Sequence, residues 1–266
     1  MIETALQLAD ACRELAKCYH TLYVLGCFGS PMTETNKNRW LDAYAYNRKA
    51  ARKKKIQAAN RETFGFDCVN MIKSLLWGFA GDSAKTYGGA VYKSRGVPDT
   101  NADGMIKLCK EVTTDFSSIA VGEAVWMSGH IGVYIGDGLA VECTPKWADG
   151  VQITAVHNIG KKSGYNGRTW TKHGKLPWLT YETAAPQKPD YAKSRDKALA
   201  GTYRVDSQIG LKLRTGASTQ KTILEVMPQD SRVRCYGYHT GDWLYVVSQS
   251  GKEGFCHKAY LRRADP

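Results

Sequence analysis

Residues 129–144 read GHIGVYIGDGLAVECT, two runs in which large apolar residues alternate with other types around Gly136-Asp137-Gly138. A period of two marks a strand with one buried face, and an Asp-Gly break between two such runs marks a hairpin. Loop length then decides which side chains meet. With a three-residue loop, Ile135 pairs with Leu139, Gly132 lies opposite Glu142, and His130 lies opposite Thr144. Ile131, Val133 and Ile135 then join Leu139, Val141 and Cys143 on one apolar face. His130 and Glu142 share the other face as diagonal neighbours, with Cβ atoms about 5.5–8 Å apart. A two-residue Asp-Gly turn instead carries Glu142 to the opposite face and splits the apolar set, so the odd-length loop is expected.

Outward from this hairpin, EAVWMS (123–128) and VQITAV (151–156) extend the alternation into a sheet. Upstream the period changes. Ile2, Ala5/Leu6, Ala9, Cys12, Leu15/Ala16 and Tyr19 fall at helical spacing, and Val69, Ile72, Leu75/Leu76 and Phe79 mark a second helix from about Cys68. Helices followed by an antiparallel sheet give an α+β domain over residues 1–180. YETAAPQKPDYAKSRDKALA (181–200) holds two prolines and many charges without an apolar period, and reads as a linker over 181–199. Beyond it, short apolar stretches at Thr202–Val205, Leu211–Arg214, Ile223–Met227, Val233–Tyr236, Trp243–Val247 and Gly254–Leu261 are separated by turn residues. They predict a small all-β barrel over 200–266.

Cys68 sits where a glycine-containing turn meets the second helix. Unpaired N–H groups at a helix N-terminus favour thiolate and can hold an oxyanion during acyl transfer. A thiolate enzyme also needs a base. Of the six histidines, His20 ends the first helix, His157 and His173 lie in loop-like surroundings, and His239 and His257 belong to the second domain. His130 alone opens a clear apolar strand, and Glu142 on the neighbouring strand is placed to orient its ring. The bland readings are an inert buried cysteine, a satisfied strand-end histidine and an exposed strand glutamate.

Two resemblances follow from these residues. LKLRTGAS (211–218), GDWLYVV (241–247) and EGFCHKAYL (253–261) resemble, in order, the "N-h-R-S-G-P-S" signature and closing strands of bacterial SH3 domains. That resemblance implies a domain that holds cell-wall peptide or its crossbridge. FDCVNMIKSLLWGF (66–79), followed by GHIGVYIGDGLAVECTPKW-x-x-GVQIT (129–154), resembles the NlpC family of papain-like cell-wall cysteine peptidases. Tyr23-Val24-Leu25-Gly26 with Phe28-Gly29 is similar to that family's Y-x-x-G-G segment. The resemblance implies Cys68 as nucleophile, His130 as base and Glu142 as orienting residue, with Tyr23, Asp67 and Asn70 along the substrate. It also implies cleavage within the stem peptide, most often D-glutamyl to diamino acid, and a papain-like fold. This chain departs from the family at Val69-Asn70, where Ser-Gly is usual, at Glu142, where His, Asn or Gln is commoner, and in the long stretch Met32–Phe64. Trp40, Tyr44 and Tyr46 suggest that the Met32–Asn60 insertion is a lid over the cleft.

Composition bounds the rest. The 266 residues are 43% hydrophobic and 23% charged, which excludes wholesale disorder. Eight cysteines without a CxxC pair, and no HExxH, point to reduced thiols and to no metal or cofactor. No stretch reaches the roughly 20 apolar residues of a membrane span, and the acidic residues near the start do not fit a signal peptide. The expectation is a protein made in the cytoplasm that reaches the wall after release, as a phage endolysin does, or by another route. A net charge of +12 favours polyanions. RKAARKKK (48–55) allows contact with an anionic polymer, though a solvated charged face explains it as well. The expected partner is peptidoglycan and not nucleic acid, since no exposed aromatics accompany the basic run. The alternatives are an N-acetylmuramoyl-L-alanine amidase with the same thiolate, or a wall-binding protein without catalysis.

Overall fold

The computed structural model describes residues 2–181 and 192–264, in two units, Met1–Tyr181 and Glu182–Pro266. Helix α1 (Ala5–Cys18) starts at a capping box: Thr4 accepts from the Gln7 N–H, and the Gln7 side chain accepts from the Thr4 N–H. Strands β1 (His20–Tyr23) and β2 (Phe28–Pro31), helices α2 (Glu34–Ala43) and α3 (Ala50–Ala58), and strand β3 (Thr63–Phe66) follow. The order β1-β3-β2 makes a small sheet in which β1 runs parallel to β3 and aligns Tyr23 with Phe66. Helix α4 (Cys68–Leu76) comes next, buried at every position from Cys68 to Leu76. It ends one turn earlier than the apolar spacing suggests, at Trp77 and a left-handed Gly78, so Phe79 lies beyond it.

Helix α5 (Ala102–Leu108) leads into the main sheet. Its strands are β4 (Lys110–Thr113), β5 (Ala124–Met127), β6 (His130–Gly136), β7 (Leu139–Thr144), β8 (Gly150–Val156), β9 (Gly167–Arg168) and β10 (Lys172–Lys175). The order is β4-β10-β5-β6-β7-β8-β9, antiparallel except for the parallel β8–β9 pair. Ile131, Val133, Ile135, Leu139, Val141 and Cys143 pack in one core with α1 and α4, as the alternation requires. The opposite face is covered too. Tyr134 and Ala140 pack with Trp170, Phe116 and Val156 in a second apolar cluster. Side chains such as Glu142 are therefore sealed between layers.

The hairpin register is the expected one at the site and differs at its tip. Gly132 pairs with Glu142, but Gly136 rather than Ile135 pairs with Leu139. The turn has two residues, Asp137 and Gly138, both at positive φ, as a type I′ turn requires. A bulge between Tyr134 and Gly136 adds the residue that the shorter turn removes. The Ile135 carbonyl at the bulge accepts a hydrogen bond from Arg13 on α1. The face of Glu142 is thus kept by a bulge and not by a three-residue loop.

The second unit is all β. Its strands are β11 (Ser194–Arg195), β12 (Gly201–Val205), β13 (Leu211–Arg214), β14 (Ile223–Met227), β15 (Arg232–Thr240), β16 (Trp243–Ser248), β17 (Glu253–His257) and β18 (Leu261–Arg263). They form one curled sheet in the order β14-β13-β17-β16-β15-β12-β18, with β11 on β15. The stretch expected as a single strand over Gly254–Leu261 is broken by a 3-10 turn at Lys258–Tyr260. Of the linker expected at 181–199, residues 182–191 lie outside the described residues. The remainder is folded: Ala192 is buried with Tyr238, Tyr245 and Phe255, and Ser194 pairs with His239. All eight cysteines are free thiols.

Candidate active site

Asp67 caps α4. It accepts hydrogen bonds from the Asn70 N–H and the Asn70 side-chain amide, and from the Gly26 N–H, each at 2.8 Å. An N-cap of this kind contributes about 0.5–2 kcal/mol. Asp67 and Asn70, both buried, therefore fix the start of the helix and tie it to the Gly26 turn. Cys68 is the first residue of that helix. The N–H groups of Ile131, the residue after His130, of Val69 and of Cys68 itself are near enough to its sulfur to favour thiolate.

Burial, assisted by the neighbouring Asp67, pushes the Cys68 thiol up to about 12, against the lowering effect of those N–H groups. This corrects the expectation of a thiolate favoured by the helix end. Removal of the sulfur from water outweighs the partial charge of the N-terminus.

His130 and Glu142 meet directly, with Nε2 2.7 Å from Oε2. Glu142 is fully buried, and its two oxygens take three hydrogen bonds. Oε2 accepts from His130 and from Arg168 Nε at 2.6 Å, and Oε1 accepts from the Thr154 hydroxyl at 2.8 Å. Burial pushes the Glu142 carboxyl up, but the bond and charge of His130, the charge of Arg168 and the Thr154 hydroxyl outweigh it. The net position is below the ordinary glutamate value, so Glu142 is a carboxylate at neutral pH. His130 lies parallel to the Trp170 ring, with centroids 5.6 Å apart. Its other nitrogen, Nδ1, makes no hydrogen bond among the described residues. Gly132 is required here: a Cβ would come within 2.8 Å of the Val141 carbonyl and 3.3 Å of both Glu142 and Trp170. Ahead of His130, Asp103 on α5 accepts from the Gly129 N–H at 2.8 Å and from Trp126 at 2.9 Å, which anchors the β5–β6 turn.

Tyr23 is half-buried beside this cluster, where burial first, and the nearby Cys68 and Asp67 after it, push its phenol up. Tyr46 meets it edge-on at 6.0 Å, and Arg52 lies over its ring. The insertion is therefore a packed wall and not a loose flap. Trp40 is buried against Phe28 and bonded to Ser30, while Tyr44 stacks on Trp40. The basic run divides as well. Arg52 and Lys55 pair with Asp149 at 2.7 and 2.5 Å, while Lys49, Lys53 and Lys54 stay exposed.

Sequence reasoning missed Arg168, which stands in a stretch without periodicity, and it misplaced His173. That residue is on β10, buried, with Nδ1 on Glu123 and Nε2 on the Asp115 carbonyl. A second histidine–glutamate pair is thus present, but both of its ring nitrogens are engaged.

In the second unit a groove of about 430 Å³ is bordered by Ile209, Lys212, Arg214, Trp243, His257 and Tyr260. Trp243 and Tyr260 both pack against His257, with centroids 5.4 and 5.9 Å away. Residues 209–262 match the bacterial SH3 domain family, which assigns this part of the chain. No curated protein matches the chain. Among the described residues no helix is long and apolar enough to cross a membrane.

Proposed function

We propose that the protein is a peptidoglycan hydrolase of the endolysin or autolysin kind, with an NlpC-like, papain-like cysteine amidohydrolase unit and an SH3-like wall-binding unit. One observation carries the catalytic reading. Among the described residues, the only histidine joined to a buried carboxylate with a ring nitrogen to spare, His130, directly precedes Ile131, whose N–H is near enough to the Cys68 sulfur to favour its thiolate. Bacterial SH3 domains often bind cell-wall components, which supports the wall as substrate.

In this reading Cys68 attacks an amide carbonyl as His130 Nδ1 takes its proton. The proton must move with the attack, because burial keeps the resting sulfur a thiol. The N–H groups at the start of α4 face the developing oxyanion. The imidazolium protonates the leaving amine, then the neutral ring activates water to release the thioester. Glu142 holds Nε2–H and so fixes the tautomer. The scissile bond joins D-glutamyl to the diamino acid, and the protein acts after release from the cytoplasm.

Purified walls treated with wild type and Cys68→Ala test this. Wild type is expected to clear the walls and to expose a new amino terminus on the diamino acid, and a folded Cys68→Ala to leave them intact. A new terminus on L-Ala assigns an N-acetylmuramoyl-L-alanine amidase instead. The sealed thiol favours a second reading, a wall-binding protein without catalysis. Retained wall binding with no new amino terminus from wild type decides for it.

A further inference from the structure

A buried carboxylate bonded to an imidazole orients the ring, and it also favours the protonated form, which cannot accept a proton. How far the carboxylate does so depends on what else neutralises its charge. Glu142 is not alone, however. Arg168 Nε meets the same Oε2 that His130 meets. The guanidinium is itself held in place: it donates to the Thr144 hydroxyl at 3.1 Å and lies 5.0 Å over the Trp147 ring. Trp147 stands in the loop between β7 and β8 at φ +60°, a conformation that bulky residues rarely adopt.

We propose that Arg168 is a positioning residue: by pairing with Glu142 it cancels the carboxylate's charge while keeping its hydrogen bond, so that His130 is oriented and still free to take a proton. The inference rests on the catalytic reading of Cys68, His130 and Glu142. The charged and titratable groups around the pair are Arg168 on β9, Asp103 on α5, which accepts from the Gly129 N–H, Cys68 on α4, and Lys146, which lies over the same Trp147 ring. Strand β8 adds only the neutral Thr154 hydroxyl. Among the described residues, Arg168 is the only arginine or lysine in direct contact with Glu142.

The test follows the ring nitrogens of His130 by NMR across pH in the full chain, beside the pH profile of wall hydrolysis. The ring signal is identified by its loss in His130→Gln. In Arg168→Gln, or in the bulkier Arg168→Met should the first not fold, the ring midpoint and the acid limb of hydrolysis both move up by about one unit or more. Arg168→Lys keeps both near wild type. Adding Glu142→Gln to Arg168→Gln brings the midpoint back down, because the uncompensated charge has gone. An unmoved midpoint in a folded Arg168→Gln whose wild type hydrolyses walls overturns the inference and leaves the hydrolase reading standing. Walls left intact by wild type overturn the hydrolase reading, and Arg168's role within it, whatever the ring does.

Discussion

Two histidine–glutamate pairs sit in the same sheet, and they differ in one respect that matters. His173 is 3% exposed and gives both nitrogens away, to Glu123 and to the Asp115 carbonyl. His130 is 16% exposed, gives Nε2 to Glu142 and keeps Nδ1. The carboxylates differ too. Burial dominates at Glu123 and raises it, even against its bond to His173, whereas at Glu142 the combined partners win and lower it. A buried imidazole bonded to an acid is therefore not by itself a sign of chemistry. The spare nitrogen sets one pair apart from the other.

The sharpest way to break this comparison is to remove each ring. His130→Ala is expected to slow wall clearing by about 10²–10⁴-fold and to lower the melting temperature less than His173→Ala, because Arg168 and the Thr154 hydroxyl still hold Glu142. His173→Ala is expected to keep the rate per folded molecule and to cost about 3–5 kcal/mol, because it leaves Glu123 buried without its partner. Thermal melts and turbidity assays on the two variants check both. An inactive but fully stable His173→Ala would reverse the assignment.

Next in size is the chemistry of the sulfur. With the thiol pushed up to about 12 by burial, labelling of Cys68 by iodoacetamide in His130→Ala should climb about tenfold per pH unit through the alkaline range. In wild type His130 supplies a base, and labelling near neutrality is expected to exceed that of the variant. Peptide mapping separates Cys68 from the exposed Cys18. Equal rates at neutral pH would show that the ring does not serve the thiol.

Packing offers a smaller lever. Gly132→Ala places a methyl against Val141, Glu142 and Trp170, and Gly174→Ala places one against Val112 and Cys109 near the other pair. Each is expected to cost about 1–3 kcal/mol, but only Gly132→Ala should also reduce turnover by the remaining folded molecules.

The smallest effect is in the pH dependence of stability, where the two acids have opposite signs. Glu142, held below its ordinary value, stabilises the fold above about pH 4.3, and that contribution fades as pH falls through its folded value. The advantage of wild type over Glu142→Gln should shrink on acidification. Glu123 is raised, so its ionisation opposes folding at high pH, and wild type should gain on Glu123→Gln as pH falls toward about 4.3. Melting temperatures from pH 7 to about 3 read both slopes, and slopes of the same sign would contradict the contrast.

Much of the framework could be read from residue order. The alternation at 130–136 and 139–144 marked the buried face, and helical spacing found α1, though it began that helix at Ile2, and the start of α4. The short apolar runs after residue 200 located most strands of the second unit. The tip of the hairpin was not readable. A two-residue turn with a bulge and a three-residue loop preserve the same face, and a partner on α1, Arg13, completes the bulge across more than a hundred residues. His173 looked like loop because β10 is short and its neighbours are Lys172 and Gly174, with no apolar alternation. Arg168 gave no signal because β9 has two residues.

By itself, the sequence determined which residues face which side of a strand, that helices lie near residues 5 and 68, and that residues 209–262 are SH3-like. Those are local matters, set by the pleat, the helical turn and the residues that cap them. Tertiary structure alone decided the electrical state of the site: the sulfur shielded from water, the carboxylate shared between a ring and a guanidinium, and one ring nitrogen left over. Charge in a buried place depends on every group that folding brings near it, and these come from strands and helices far apart in the chain.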